Sequence, residues 1–515
     1  MRFHTPVRLS YFAMKRYLLC LLLALPIMIP AQKEDYNWVM GVGASESDSI
    51  YKINKISFPN DSFKAYLVYR SIPFYRTLGV VSDSVGQLLC YTNGLDIYNR
   101  NHEVMDEGGG IELTSQFPFG YPVTQGVLIL PIPDNLGYYI MIGSSHMNIG
   151  TTTICNKLHY SIIDIFKNNG LGKVIEKKIT FYNNDSLNIG HIAAVRHGNG
   201  RDWWLSCTKF NSNTIHFFIV SPSGITDISE QNIGDTFFNG DGNSVFSPSG
   251  EWYANYTVFG NASNPNAKLY LYHFDRCEGI LREPQYRFFA GPNVYGGVAF
   301  SSNSRYLYVS KFNQVLQYDL QATDVLSSEQ VVADYDNYLD EGGAPTRFYG
   351  LQLAPDGKIY GNIPNFNSRY LHVIDQPDLP GDSCNVIQHA VYLPAHNFGT
   401  LPNLPYYRLY AEEGGPCDTL TTTTHQAPLV AAPEIRVWPV PAADVLYFSA
   451  EGEWPEPLGL CLYDALGRMV MALDAIRVSP YAKVDLGKLP PGAYFYTLTR
   501  KDGRPVKSGK VIRTR

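Results

Sequence analysis

The chain has 515 residues, 45% of them hydrophobic and only 17% charged, with 37 Tyr, 26 Phe, 44 Gly and 33 Pro. That length exceeds one hydrophobic core, and strand and turn formers without long Ala/Glu/Lys/Leu runs exclude a helical protein and indicate an all-β one. The formal net charge of −6 argues against nucleic acid or an anionic membrane as partner, since both require clustered Lys and Arg. At the start, Arg2, Arg8, Lys15 and Arg16 precede an apolar run from Tyr17 to Ile29 that ends at Pro30-Ala31. This layout predicts a secretory signal peptide over residues 1–31, cut after Ala31. The run is too short for a membrane span, and no later stretch is apolar enough to be a transmembrane segment. Without those four basic residues the chain carries 37 Lys and Arg against 47 Asp and Glu, a net of −10.

Residues 32–410 read as one domain, which repeats from about residue 77. Four units open with an apolar strand, a small turn and an aromatic strand, starting at His191, Ser244, Val298 and Leu351, about 53 residues apart. Their turns include Ser247-Pro-Ser-Gly250 and Ala354-Pro-Asp-Gly357. A third strand follows each, as in Ile215–Val220 and Leu269–His273, and a fourth in at least two. Four short antiparallel strands at this period predict a β-propeller with WD40-like repeats. Two earlier units, at Gly79 and Gly126, make six blades, and residues 36–72 supply a seventh or help close the ring.

Residues 411–433 are rich in Thr, Ala, Gly and Pro and read as a linker. Residues 434–515 then predict a small immunoglobulin-like sandwich of short alternating strands. They contain Trp438-Pro-Val-Pro-Ala-Ala-Asp-Val-Leu446, Leu462-Tyr-Asp-Ala-Leu-Gly-Arg468, Val484-Asp-Leu-Gly-Lys-Leu-Pro-Pro-Gly-Ala-Tyr494 and Lys510-Val-Ile512. In order and spacing these resemble the type A C-terminal sorting domain of the Bacteroidetes type IX secretion system. Val440 departs from the Asn usual between the two prolines. The resemblance rests on Pro439, Pro441, Asp444, Gly467, Arg468, Leu489, Pro490, Gly492, Tyr494 and Lys510. It implies that the type IX machinery is a partner and that the cargo ends at the cell surface or outside the cell. Segments such as Cys90–His102, Phe274–Gly279 and Leu401–Leu409 resemble propeller-type surface proteins of the same bacteria, which implies the architecture but no chemistry.

Seven cysteines follow the signal segment, at irregular spacing and without a metal-binding pattern. Cys384–Cys417 is the expected disulfide, stapling the last blade to the segment that leaves it. No catalytic, cofactor-binding or metal residue is assigned. His191 and His197 near Asp202 could form a cluster, but six residues of strand separate them by about 20 Å, and ordinary packing is the expectation. The acidic stretch Asp334–Glu341 and the turn Phe238–Asn243 could offer oxygen to calcium, with loop and turn roles expected first. Trp203 and Trp204 could stack on sugars, although aromatics in blade strands mostly pack between sheets. Asp-Ser/Thr-aliphatic triplets at Asp48, Asp185 and Asp418 resemble an O-glycosylation pattern of Bacteroidetes exported proteins. The functional expectation is a non-enzymatic binding protein for an extracellular protein or glycan. A hydrolase with carboxylates at the channel mouth, and a part in a larger surface assembly, are the alternatives.

Overall fold

The computed structural model describes residues 32–43, 48–112, 117–261, 263–365, 368–412, 414–417, 435–450, 457–465, 467–478, 481–500 and 505–514. The expected signal peptide and most of the expected linker lie outside the described residues. The chain divides into two compact units, with the boundary between Thr419 and Leu420.

The first unit is a ring of seven antiparallel sheets, each built from consecutive strands. Blade 1 comprises Asn37–Gly41, Ile53–Ser57 and Lys64–Val68; blade 2 comprises Gly79–Ser82, Leu88–Thr92 and Ile97–Asn99. The other five have four strands each, beginning at Val127, Ala193, Asp241, Val298 and Leu351, and blade 7 ends at Asn397. The period-2 alternation of a strand explains the aromatic excess, because both faces of each blade meet a neighbour. In Trp203–Thr208 every residue is buried. Trp203 packs with Leu128 and Ile140 of blade 3, whereas Trp204 packs with Tyr253 and Phe274 of blade 5. Similar cores join blades 2 and 3, 5 and 6, and 6 and 7. Blade 1 closes the ring: Trp38, Ile53 and Phe58 share one core with Val80 and Tyr91 of blade 2 and Tyr360 and Leu371 of blade 7.

The repeated turns are local chemistry. Gly250 and Gly357 have φ of +76° and +79°, a backbone that glycine adopts without a Cβ penalty. Their N–H groups close the turns on Ser247 and Ala354 at 2.8 and 3.0 Å.

The second unit is a two-layer sandwich. Ile435–Trp438, Val445–Ala450 and Ala482–Asp485 form one sheet; Leu458–Asp464, Met469–Ile476, Gly492–Thr499 and Pro505–Arg513 form the other. Leu446, Phe448 and Val484 face Leu460, Leu462, Tyr496 and Val511 across its core. No helix among the described residues is long and apolar enough to cross a membrane.

Candidate functional site

The axial channel of a propeller is the usual place to look for a ligand, and here the chain fills it. After blade 7 the backbone turns at Gly399, φ +58°, and residues 401–408 thread between the inner strands. The Asn403 N–H donates to the Leu78 carbonyl at 2.9 Å. Its side-chain amide donates to the carbonyls of Val127 and Ile192 at 2.9 and 2.8 Å and accepts from Gln125 Nε2 at 3.2 Å. One side chain thus ties the inner edges of blades 3 and 4, while its backbone holds the chain entering blade 2. Tyr407, fully buried, donates to the Ile129 carbonyl at 3.1 Å. Pro402 and Pro405 flank Asn403 and bring no N–H into a channel where a donor would need a partner. Two cavities of about 60 and 40 Å³ remain beside the plug. They have room for a few waters and fall far below the ~300–1,000 Å³ of a small-molecule site. Asn403→Ala would take a donor from two carbonyls, while Gln125 Nε2 keeps the Ser244 carbonyl at 2.9 Å, so it is expected to cost about 3 kcal/mol. Chemical denaturation measures this, and a loss below about 1 kcal/mol would mean that water replaces the amide.

Both mouths carry charge, and each holds an Arg–Asp pair. At the first, Arg76 Nη1 meets Asp241 Oδ2 at 2.5 Å, Thr124 donates to Asp241 Oδ1 at 2.9 Å, and Tyr349 donates to the same carboxylate. Burial alone would raise the Asp241 carboxyl, but the Arg76 guanidinium and the two hydroxyls outweigh it and hold it below the usual carboxylate range. This ionised form therefore stabilises the fold above pH ~4, and the contribution disappears as pH falls through the lowered folded value. Asp241→Asn is expected to cost about 2 kcal/mol at pH 7, with the gap to wild type narrowing below pH ~4. Denaturant midpoints at the two pH values test this; a gap that stays constant overturns it.

At the second mouth Arg408 grips Asp35 through both guanidinium nitrogens at 2.7 and 2.9 Å. Burial pushes the neighbouring Glu34 carboxyl up to about 7, and Asp35 is raised by its own burial against the pull of Arg408.

The sequence candidates separate. His191 is buried, held by the Gly240 carbonyl and the Ser244 hydroxyl at 3.3 Å each, and burial lowers it to about 4. His197 instead stacks on Trp204 at 5.2 Å and accepts the Asn199 N–H. Asp202 is bound by Arg201 and Asn199. These are packing residues, as are Trp203 and Trp204. In the acidic stretch, Asp340 caps its own turn through the Gly342 and Ala344 N–H groups, Asp336 meets His389 at 3.1 Å, and Glu341 accepts from Tyr392.

The disulfide corrects the expectation of Cys384–Cys417. Cys417 pairs with Cys277, at a Cα–Cα distance of 5.4 Å, and Cys384 is a free thiol in the core between blades 6 and 7. Having crossed the ring, the chain emerges beside blades 4 and 5 rather than beside blade 7. There Glu412 N–H donates to the Gly198 carbonyl at 2.9 Å, and Arg276 Nη2 donates to the Tyr410 carbonyl at 2.6 Å. The first residues of the expected linker therefore belong to the propeller's own structure.

A solvent-facing group of rings stands on blade 7. Tyr338 and Tyr392 are 42% and 48% exposed. Tyr338 and Tyr370 bring their hydroxyls within 3.1 Å, and Tyr370 lies 5.1 Å from Tyr392. His389 packs at 4.4 Å from Tyr338, and the Arg369 guanidinium covers the Tyr392 ring at 4.2 Å. The sequence showed these only as scattered tyrosines, because the loop 335–350 and two strands bring them together.

In the sandwich the singled-out residues mostly build turns and ends. Arg468 closes its turn on Asp464 through N–H and Nε at 3.0 and 2.8 Å, with Gly467 at φ +75°. Tyr494, buried, donates to the Pro490 carbonyl at 2.6 Å, and the Leu489 N–H donates to Leu486 at 2.9 Å. Asp444 pairs with Arg513 at 2.9 Å. Gly492 pairs with Arg513 in the ladder, and Lys510 lies exposed opposite Phe495. Pro439 and Pro441 are exposed between the first two strands. Residues 436–513 match the family described as the secretion system C-terminal sorting domain. The C-terminal unit is a type IX sorting domain. The chain is accordingly a type IX cargo, and this sorting domain addresses a β-propeller to the cell surface or the extracellular space.

No curated protein matches the chain. Solved structures similar to it include proposed 6-phosphogluconolactonases of Bacteroides uniformis and Bacteroides fragilis. The first is 12% identical, covering 71% of this chain and 98% of that one with a TM-score of 0.44. The second is 11% identical, covering 70% and 97% with a TM-score of 0.41. A periplasmic gluconolactonase of Pseudomonas aeruginosa is 12% identical, covering 70% and 97% with a TM-score of 0.32. At these values no activity or site transfers to this chain.

Proposed function

We propose that the exported protein is a non-catalytic binding protein that takes a carbohydrate on the aromatic rim of blade 7. An N-terminal signal peptide over residues 1–31 carries it across the inner membrane, and the sorting domain takes it through the outer one. The observation that carries this reading is the plug: residues 401–408 occupy the channel, and Asp241 and Asp35 at its two mouths are bound by Arg76 and Arg408. The open chemistry lies at Tyr338, Tyr370 and Tyr392. The exposed rings of Tyr338 and Tyr392, with the half-buried Tyr370 beside them, suit the apolar C–H face of a sugar, while Arg369, Glu341 and Asp336 can address its hydroxyls. The hydrolase alternative is favoured only by Glu34, a carboxyl raised to about 7, and the Asp35 beside it is held by Arg408.

A glycan array and a protein pull-down, run beside a glycosidase and peptidase panel, test the reading. Saturable glycan binding without product is expected, with Tyr338→Ala and Tyr392→Ala each weakening it about tenfold or more (~1.4 kcal/mol). Capture of a protein alone would replace the carbohydrate by that partner. Turnover abolished by Glu34→Gln would replace the binding reading by the hydrolase.

A further inference from the structure

We infer that Asp185, His216 and Glu230 form a divalent transition-metal site at the outer seam of blades 3 and 4. The three residues come from different elements. Asp185 lies in the connection from blade 3 to blade 4, His216 in the strand Ser212–Ser221, and Glu230 directly opposite His216 in the strand Gly224–Phe237. One ligand atom from each lies within 4.8 Å of the others, close enough for a small movement to bring all three onto one ion at the ~2.0–2.2 Å of Zn–N and Zn–O bonds.

The imidazole provides the second, independent observation. His216 is fully buried, and its Nδ1 has no hydrogen-bond partner while facing Glu230 Oε1 at 3.4 Å. Its other nitrogen, Nε2, lies 3.3 Å from the Tyr182 hydroxyl, which also lies 3.4 Å from Asp185 Oδ2. A carboxylate can only accept, so a Tyr182 proton directed at Asp185 leaves the phenol oxygen to accept from His216 Nε2–H. In that tautomer Nδ1 is a bare lone pair set against the Glu230 carboxylate oxygen, two acceptors with nothing between them. A cation between them resolves that conflict, and Nε2–H held by an outer partner is the arrangement that orients a metal-ligating histidine.

One imidazole and two carboxylates suit Zn²⁺ or Mn²⁺ better than Ca²⁺, which prefers all-oxygen ligands. Lys209 Nζ, 3.0 Å from Asp185 Oδ2, is the competing cation and offsets part of the negative charge. Glu230 is 55% exposed, which gives an ion a path in from solvent. A bound ion would tie the outermost strand of blade 4 to the chain arriving from blade 3.

The test uses the full secreted protein under non-reducing conditions, which keep Cys277 and Cys417 bonded and unavailable as ligands. After chelation and dialysis it is titrated with Zn²⁺, Mn²⁺, Co²⁺ and Ca²⁺ by calorimetry, with Co²⁺ absorption reporting nitrogen and oxygen ligation. One equivalent of Zn²⁺ or Mn²⁺ is expected to bind at micromolar Kd or tighter. Glu230→Gln and Asp185→Asn, both at partly exposed side chains, should each weaken it at least tenfold while the thermal transition without metal stays within a few degrees of wild type. Absence of stoichiometric binding overturns the site, and so does binding that is unchanged in both variants.

Discussion

Replacing Cys277 by Ser is expected to lower the stability of the propeller unit by up to about 5 kcal/mol. The bond joins residues 140 apart in sequence, so in the unfolded chain it closes a loop spanning the last strand of blade 5, all of blades 6 and 7 and the whole plug. Loop-closure entropy for that length is near 5 kcal/mol at 25 °C, larger than the expected cost of any single hydrogen bond in the channel. The native geometry adds a second effect. The chain emerging after Arg408 is held by the Arg276 and Gly198 contacts and then by the disulfide, so losing the bond frees the end of the plug segment. Cys417→Ser should reproduce the loss, and the double variant should fall no further, because both singles remove the same bond. Denaturant unfolding of the three variants, with reduced wild type as a fourth sample, measures this. A loss below about 1 kcal/mol, or losses that add in the double variant, would show that the latch does not stabilise the ring.

Removal of residues 434–515 is expected to abolish appearance of the protein at the cell surface or in the medium while leaving the propeller folded. Each unit has a hydrophobic core of its own residues: Leu446, Phe448, Leu460 and Tyr496 in the sandwich, and the inter-blade clusters in the ring. A truncation after the disulfide removes no member of the ring's cores. Fractionation should find the shortened chain retained inside the outer membrane, with an unfolding transition like that of the propeller in the full-length protein. Fusion of residues 434–515 to an unrelated exported protein should carry that protein outward. Surface display of the truncated chain, or a truncated chain that fails to fold, would overturn the division of labour between the units.

Features that depend on neighbours in the chain were legible from the sequence. The Ser247–Gly250 and Ala354–Gly357 turns follow from Gly at a positive φ and from short polar residues folding back on their own backbone, and their even spacing sets the blade period. The sorting domain was legible through its resemblance to a known family, and of the motifs that carry it Gly467-Arg468, Leu489-Pro490 and Tyr494 make contacts within a few residues. The alternation of large apolar residues identified Trp203 and Trp204 as packing residues, since strand geometry alone sends them to opposite faces.

What only the tertiary structure decided depends on ring closure. Leu401-Pro-Asn-Leu-Pro-Tyr-Tyr-Arg408 reads as an exit loop, and nothing local says that Asn403 will reach carbonyls at Val127 and Ile192. The disulfide partner followed from that path: crossing the ring carries Cys417 away from blade 7, its neighbour in sequence, to Cys277 in blade 5. Strand pairing brings Tyr370 to Tyr392 and His216 to Glu230, and inter-blade connections bring Tyr338 and Asp185 to them, over separations at which sequence spacing holds no geometric information. Blade 1 was left open between a seventh blade and a closing segment for the same reason. It becomes a blade only because its two faces find blades 7 and 2 at once, burying Trp38 and Phe58 in a core that neither neighbour completes alone.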